Sequence, residues 1–147
     1  MKRKDNKSPK RVAICLEMEW GHKRHLETYA GIHEYADKAG WDCVITPSAA
    51  RVPKPKSGVA PFHGILGRIS EPLAQVALKH KIPTVNVWLN SPAKNVSSVL
   101  PDLETSGRMA AQHLVGRGFK RFGYMGFLRE KDSRLAIQGF REILRPL

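Results

Sequence analysis

Apolar residues along this chain fall in short consecutive blocks, and between the blocks lie stretches whose apolar positions repeat with helical period. Val12, Ala13, Ile14, Cys15 and Leu16 are contiguous within Arg11 to Glu17, the pattern of a central parallel strand covered on both faces. From Arg24 to Ala39, residues Leu26, Tyr29, Ala30, Ile32 and Ala36 share one side of a 3.6-residue period, and Gly40 is a natural stop. Trp41 to Thr46 predicts a second strand. Pro47 to Pro61, with prolines also at 53 and 55 and the basic Arg51, Lys54 and Lys56, suits neither helix nor ladder and predicts an exposed connection.

The alternation then resumes. Gly64 to Ile69 predicts a third strand; Ser70 stands where a cap would, ahead of a helix with Pro72 in its first turn and Leu73, Val76, Ala77 and His80 on one face. Ile82 to Trp88 predicts a fourth strand, and Val96 to Leu100 a short fifth. Asp102 is placed to cap a helix carrying Leu103, Gly107, Ala110 and Leu114 on one stripe and ended by Gly118, with Gly107 and Ala110 small enough for close packing on a sheet. Phe122 to Phe127 predicts a sixth strand, and Asp132 to Leu144 a last helix with Ala136, Phe140 and Ile143 facing inward. Strand and helix units alternating at this length need crossover connections, which are almost always right-handed and build an open parallel sheet with helices on both faces. The predicted fold class is therefore α/β, a three-layer Rossmann-like open parallel sheet.

In such sheets ligands bind outside the carboxyl ends of the strands. The residues there, in order, are Glu17, Glu19 and Trp20; Arg68; Trp88 and Asn90; Asp102; and Arg134. Planar Asp, Asn and Arg groups make paired hydrogen bonds to hydroxyls, and an indole covers an apolar C–H face, so the set suits a small polyol such as a sugar. Each residue also has an ordinary structural role open to it: Trp20 and Trp88 as rim or core aromatics, Asp102 as a helix cap, Arg68 as a surface ion-pair partner. Only their convergence would distinguish a site.

Composition narrows the field. At 147 residues and 41% hydrophobic the chain has room for one core, or one core and a fragment. No apolar run approaches the roughly 20 residues of a membrane span, and Glu17 and Glu19 interrupt any signal-peptide-like stretch, so a soluble cytoplasmic protein is expected. Of the formal charge of +12, +5 comes from the N-terminus, where Lys2, Arg3, Lys4, Lys7, Lys10 and Arg11 face Asp5 alone. Such a tail attracts nucleic acid or acidic surfaces without reading sequence, or simply solubilises the chain. Cys15 and Cys43 lack CxxC spacing and read as reduced core thiols. His22 and His25 flank Lys23 and Arg24, which opposes a metal site, and His33, His63, His80 and His113 are scattered. Neither GxGxxG, P-loop nor GxSxG is present, so no cofactor and no catalytic residue is expected.

The series Val99, Leu100, Pro101, Asp102, Gly107, Ala110, Ala111, His113, Leu114, Gly118, Phe119, the strand to Gly126, and Arg134 ahead of Gly139 and Phe140 resembles the ligand-binding domain of the lactose-repressor/galactose-repressor family, which is related to periplasmic sugar-binding proteins. Glu17, Trp20, the pair Arg24 and His25, Gly31 and Ile32, Trp41, Gly64 to Ile69, and Ile82 to Val87 look like the xylose operon regulators, which join such a sensor to a C-terminal helix-turn-helix pair. The resemblance covers nearly everything after Arg11. It implies a periplasmic-binding-protein-like type I fold with a basic disordered tail (1–11), a first lobe (12–101) and the start of a second lobe cut short (102–147). It further implies a sensor, not an enzyme, for a sugar effector, a pentose such as xylose. Operator DNA would be contacted only through a DNA-binding domain absent from this chain, in a full-length homodimer, with no membrane partner. Asp102 and Arg134 would hydrogen-bond to effector or hinge, with Trp20 and Trp88 near the sugar. Leu103 and Ala136 depart from the lactose-type members, which usually have Asn and often Arg there. An incomplete second lobe would leave apolar surface exposed and favour instability or dimerisation. The competing expectations are a stand-alone Rossmann-like enzyme such as a sugar-phosphate isomerase, a receiver-like domain, and a basic-tailed nucleic-acid-binding protein.

Overall fold

The computed structural model describes residues 8–19, 23–46 and 62–145, without the side chains of Lys23 and Arg24. Most of the basic tail, Trp20, His22 and the proline-rich connection 47–61 lie outside the described residues. The chain divides into two compact units, Met1–Val99 and Leu100–Leu147.

The first unit contains β1 (Arg11–Cys15), α1 (Lys23–Ala39), β2 (Asp42–Ile45), β3 (Gly64–Gly67), α2 (Glu71–Lys79), β4 (Thr84–Asn86) and β5 (Ser97–Ser98). All pairings are parallel and the sheet order is β2-β1-β3-β4-β5. The first crossover steps outward from β1 to β2, whereas the later ones step the other way through β3 and β4. With a common right hand, opposite directions place α1 and α2 on opposite faces. The packing agrees. Val12, Ile14 and Leu16 meet Tyr29 and Ile32 of α1, together with Trp41, Cys43 and Leu66. Ala13, Cys15 and Ile65 meet Leu73, Ala74 and Ala77 of α2, with Ile69 and Ile82. Strand alternation thus divides one continuous apolar run between two cores, which is why β1 needs no polar face.

The two cysteines follow the same parity. Cys15 lies on the α2 face and Cys43 on the α1 face, so the sheet separates them and no disulfide can join them. Burial pushes the Cys15 thiol up to about 11, away from the thiolate that nucleophilic or redox chemistry needs.

The second unit pairs α3 (Leu103–Gly116) with α4 (Lys131–Leu144). The crossing is close because two glycines face backbone: a Cβ on Gly107 would overlap the Ala136 carbonyl, and one on Gly139 the Glu104 carbonyl. The sequence pattern places Gly107 and Ala110 against a sheet; instead Gly107 packs on α4, and Ala111, not Ala110, is the buried neighbour. Arg108 ties the pair together, its Nη1 donating to Glu104 (2.9 Å) and to Glu142 (3.0 Å) and its Nη2 to the Thr105 hydroxyl (2.8 Å). Phe140 is buried against Phe122 and Tyr124, each ring centroid 6.3 Å away.

Two local expectations fail. Ser70 occupies the cap position of α2 without a side-chain cap hydrogen bond. The sixth strand, expected at Phe122 to Phe127, does not form: residues 119–127 carry no strand pairing, because a ladder needs a neighbour and none stands beside this segment among the described residues of its unit. Alternation survives without the ladder. Phe122 and Tyr124 turn to Phe140, while Met125 is 99% and Phe127 81% exposed.

Candidate functional site

A reversal of winding direction creates a crevice at the carboxyl ends of the two strands that flank it, since the connections leaving them depart to opposite sides. Here those strands are β1 and β3. The residues that follow them, Glu17 and Arg68, are close enough for the Glu17 charge to act on the guanidinium. Burial pushes Arg68 below its ordinary value, and Glu17 pulls in the opposite direction. A partly desolvated guanidinium that stays charged is suited to gathering oxygen acceptors.

Gly67 makes that placement possible. Its φ of +146° is a conformation that L side chains rarely adopt, and a Cβ there would run into the backbone of Cys15. Glycine lets β3 end flush against β1, with the Arg68 N–H donating to the Cys15 carbonyl (2.8 Å) and the Gly67 carbonyl accepting from Val87 N–H (2.9 Å). Arg68 then lies over the Trp88 ring, its guanidinium carbon 4.3 Å from the ring centroid. Trp88 follows β4, so the contact joins the ends of two adjacent strands.

The loops on either side are fixed by short side chains. The Ser91 hydroxyl donates to the Ile69 carbonyl (2.5 Å) and accepts from Ala93 N–H (3.1 Å). The buried Asn86 bonds to backbone at both Ile69 and Trp88. Sequence reading passed over Gly67, Asn86 and Ser91. The signal for Asn86 was present: a polar residue inside an otherwise apolar strand needs a reason.

Of the eight residues singled out at the predicted strand ends, Arg68 and Trp88 are brought together with Glu17 close to Arg68, Asn90 lies two residues along the same loop, half-buried, and Glu19 is exposed. Trp20 lies outside the described residues. Asp102 and Arg134 belong to the second unit and have local partners there. Both carboxylate oxygens of Asp102 are engaged by Thr105, one by its N–H (2.9 Å) and one by its hydroxyl (2.7 Å), as a helix cap. These bonds hold the Asp102 carboxyl below the usual carboxylate range. Arg134 donates to the carbonyls of Leu128 (3.1 Å) and Arg129 (2.7 Å), closing the turn that leads into α4. It also lines a depression of about 560 Å³ along α4 with Ile137, Gln138 and Arg141.

No family model matches the sequence, and no curated protein does. Solved structures do. The chain is similar to the transcription regulator CcpA of Lactococcus lactis, with 18% identity over 95% of this chain and 54% of that one and a TM-score of 0.68. It is similar to a periplasmic binding protein/LacI transcriptional regulator from Alkaliphilus metalliredigens complexed with D-xylulofuranose, with 20% identity over 95% and 53% and a TM-score of 0.65. The transcriptional regulator CelR in its cellobiose complex gives 22% identity over 92% and 46% and a TM-score of 0.68. The fold is periplasmic-binding-protein-like, of type I. These neighbours are regulators and sugar-binding proteins, and the chain spans about half the length of each of the three. No helix among the described residues is long and apolar enough to cross a membrane.

Proposed function

We propose that this chain is the effector-sensing part of a bacterial DNA-binding transcription regulator of carbohydrate metabolism, and that its effector is a sugar, a pentose such as xylose. The observation that carries the reading is the Arg68–Trp88 pair at the carboxyl edge of the sheet, beside Glu17. A guanidinium and a carboxylate together satisfy hydroxyls that both donate and accept, and an indole offers an apolar plane to the sugar's C–H face. Sugar complexes among the structural neighbours support the same chemistry.

On this reading residues 12–101 form the first lobe and 102–147 begin the second. Asn90 extends the polar set beside Trp88, and Trp20, three residues after Glu17 in sequence, supplies a second indole to the sugar. Asp102 and Arg134 carry hydrogen bonds to the effector or to the hinge. The sugar acts by favouring one arrangement of lobes over another, and a domain outside this sequence reads operator DNA in the cytoplasm as part of a homodimer.

Isothermal titration with D-xylose, L-arabinose and D-glucose tests the reading. We expect saturable heat with at least one pentose, and about tenfold weaker binding after Arg68→Ala, the consequence of losing roughly 1.4 kcal/mol of charge-assisted hydrogen bonding. Absence of heat with all three sugars, or an Arg68→Ala variant that binds as the unsubstituted chain does, overturns it.

A further inference from the structure

We infer that Asn86 is the positioning residue of this site: its buried amide holds the two strand ends in the register that stacks Arg68 on Trp88, and it can do so only as an amide. The inference rests on the sugar-site reading for its functional meaning, although its geometry stands alone.

A side-chain amide offers two donor hydrogens and two acceptor lone pairs. At Asn86 all four are used. Oδ1 accepts from the Ile69 N–H (3.3 Å) and the Trp88 N–H (3.0 Å). Nδ2 donates to the Trp88 carbonyl (2.9 Å) and to the Ser98 hydroxyl oxygen (3.2 Å). One side chain, 4% exposed, therefore joins the residue next to Arg68 on the β3 side, both backbone groups of Trp88 on the β4 side, and the edge strand β5.

These backbone groups lie just beyond the ends of the ladders, where the parallel strands can no longer bond them. Ile69 is held twice, its N–H by Asn86 and its carbonyl by Ser91. Arg68, the residue before it, is held through its own N–H on Cys15. The guanidinium thus springs from a fixed peptide, and the indole from another fixed by the same amide. Without this bracing the two loops would sample separate conformations, and the stacked pair would be one of many. A preformed pair spends no binding energy on its own ordering when a ligand arrives.

The direction of the donors excludes the nearest isostere. The Ser98 hydroxyl donates to the Val96 carbonyl (3.1 Å), so it presents a lone pair to Nδ2. Asn86→Asp would set a carboxylate oxygen against the Trp88 carbonyl, two acceptors with no hydrogen between them, and could gain the Ser98 hydrogen only by taking it from the Val96 carbonyl. Loss of the buried donors carries the full cost of desolvating unpaired groups.

The test labels the full chain with 5-fluorotryptophan and follows the fluorine resonances, with that of Trp88 assigned by its loss in Trp88→Phe and that of Trp41, in the α1-side core, as internal reference. In Asn86→Asp we expect the Trp88 resonance to move by more than its linewidth while that of Trp41 stays, and D-xylose affinity to fall about tenfold. Ser98→Ala, at an exposed edge position, removes one of the four bonds and should shift Trp88 in the same sense by less. It decides the matter where Asn86→Asp does not fold. A Trp88 resonance unmoved in both variants, or a Trp41 resonance moving equally with it, overturns the inference. A Trp88 shift in a chain that binds no sugar sustains the bracing role and defeats the sugar reading instead.

Discussion

In the first unit the sheet supplies the core: Ala13, Ile14, Leu16, Ile65, Ile69 and Leu73 are all but closed to solvent, and helices lie on both of its faces. In the second unit two helices meet backbone to backbone at Gly107 and Gly139, braced by Arg108 and a Phe140-centred aromatic contact, and the extended segment after α3 is covered on one side only. One unit is organised around a buried sheet, the other around a close approach of two helix backbones. The residues left outward differ in the same way. Above the sheet the half-buried positions are polar and planar, Arg68 and Trp88 among them, whereas Met125 and Phe127 are apolar, exposed and without a ladder. The first unit presents a polar edge at its strand ends; the second leaves an apolar, unpaired segment at Met125 and Phe127.

Substitutions break this contrast at different points. The largest effect is expected from Gly139→Val, whose side chain would occupy the space of the Glu104 carbonyl, backbone that cannot swing aside. Overpacking of this kind costs about 3 kcal/mol or more, and hydrogen exchange should show α3 and α4 amides losing protection while β1 and β3 amides keep theirs. Leu73→Ala reverses the pattern. The side chain is 1% exposed within the α2-side core, and its truncation should cost about 2–5 kcal/mol, read as loss of protection in β1 and β3 and a lower midpoint in urea.

A smaller effect separates the units by pH. Asp102 titrates below its ordinary value because its carboxylate accepts from Thr105. A group whose folded pKa is depressed contributes stability above its unfolded value, about 3.9 for Asp, and loses it as pH falls through the lower folded value. The Thr105 amide should therefore lose its cap signature in NMR only below about pH 4, while Asp102→Asn, which caps without titrating, stays flat over the same window.

Much of the architecture could be read from residue order. The contiguous apolar run around Ile14 is what two-sided burial requires, and the helical stripe beginning at Leu73 marks a crossover between strands, whereas on α1 Tyr29 and Ile32 meet the sheet and Leu26 is exposed. Parity was equally legible, since a strand apolar at every position must serve two cores. What was hidden depends on neighbours far away in sequence. The Phe122 to Phe127 alternation looks like a strand, but pairing is a property of two segments, and one segment's pattern cannot supply the second. Gly107 reads as a small residue on a stripe; only the approach of Ala136 shows which surface it serves.

The site divides similarly. Arg68 and Trp88 follow from the rule that open parallel sheets bind at their carboxyl ends. Asp102 turned out to have the ordinary partners of a cap, as its spacing before Thr105 allowed. Asn86 was the least visible, because its importance lies in which backbone groups it reaches and not in where it stands along the strand.

The most direct test of the sugar-sensing account is a saturation-transfer NMR experiment with D-xylose in excess over the full chain. The account predicts transfer to the sugar's ring protons that disappears in Trp88→Ala and persists in Trp41→Phe. Transfer of equal strength in the Trp88→Ala variant, or none from the unsubstituted chain to any pentose, would contradict it.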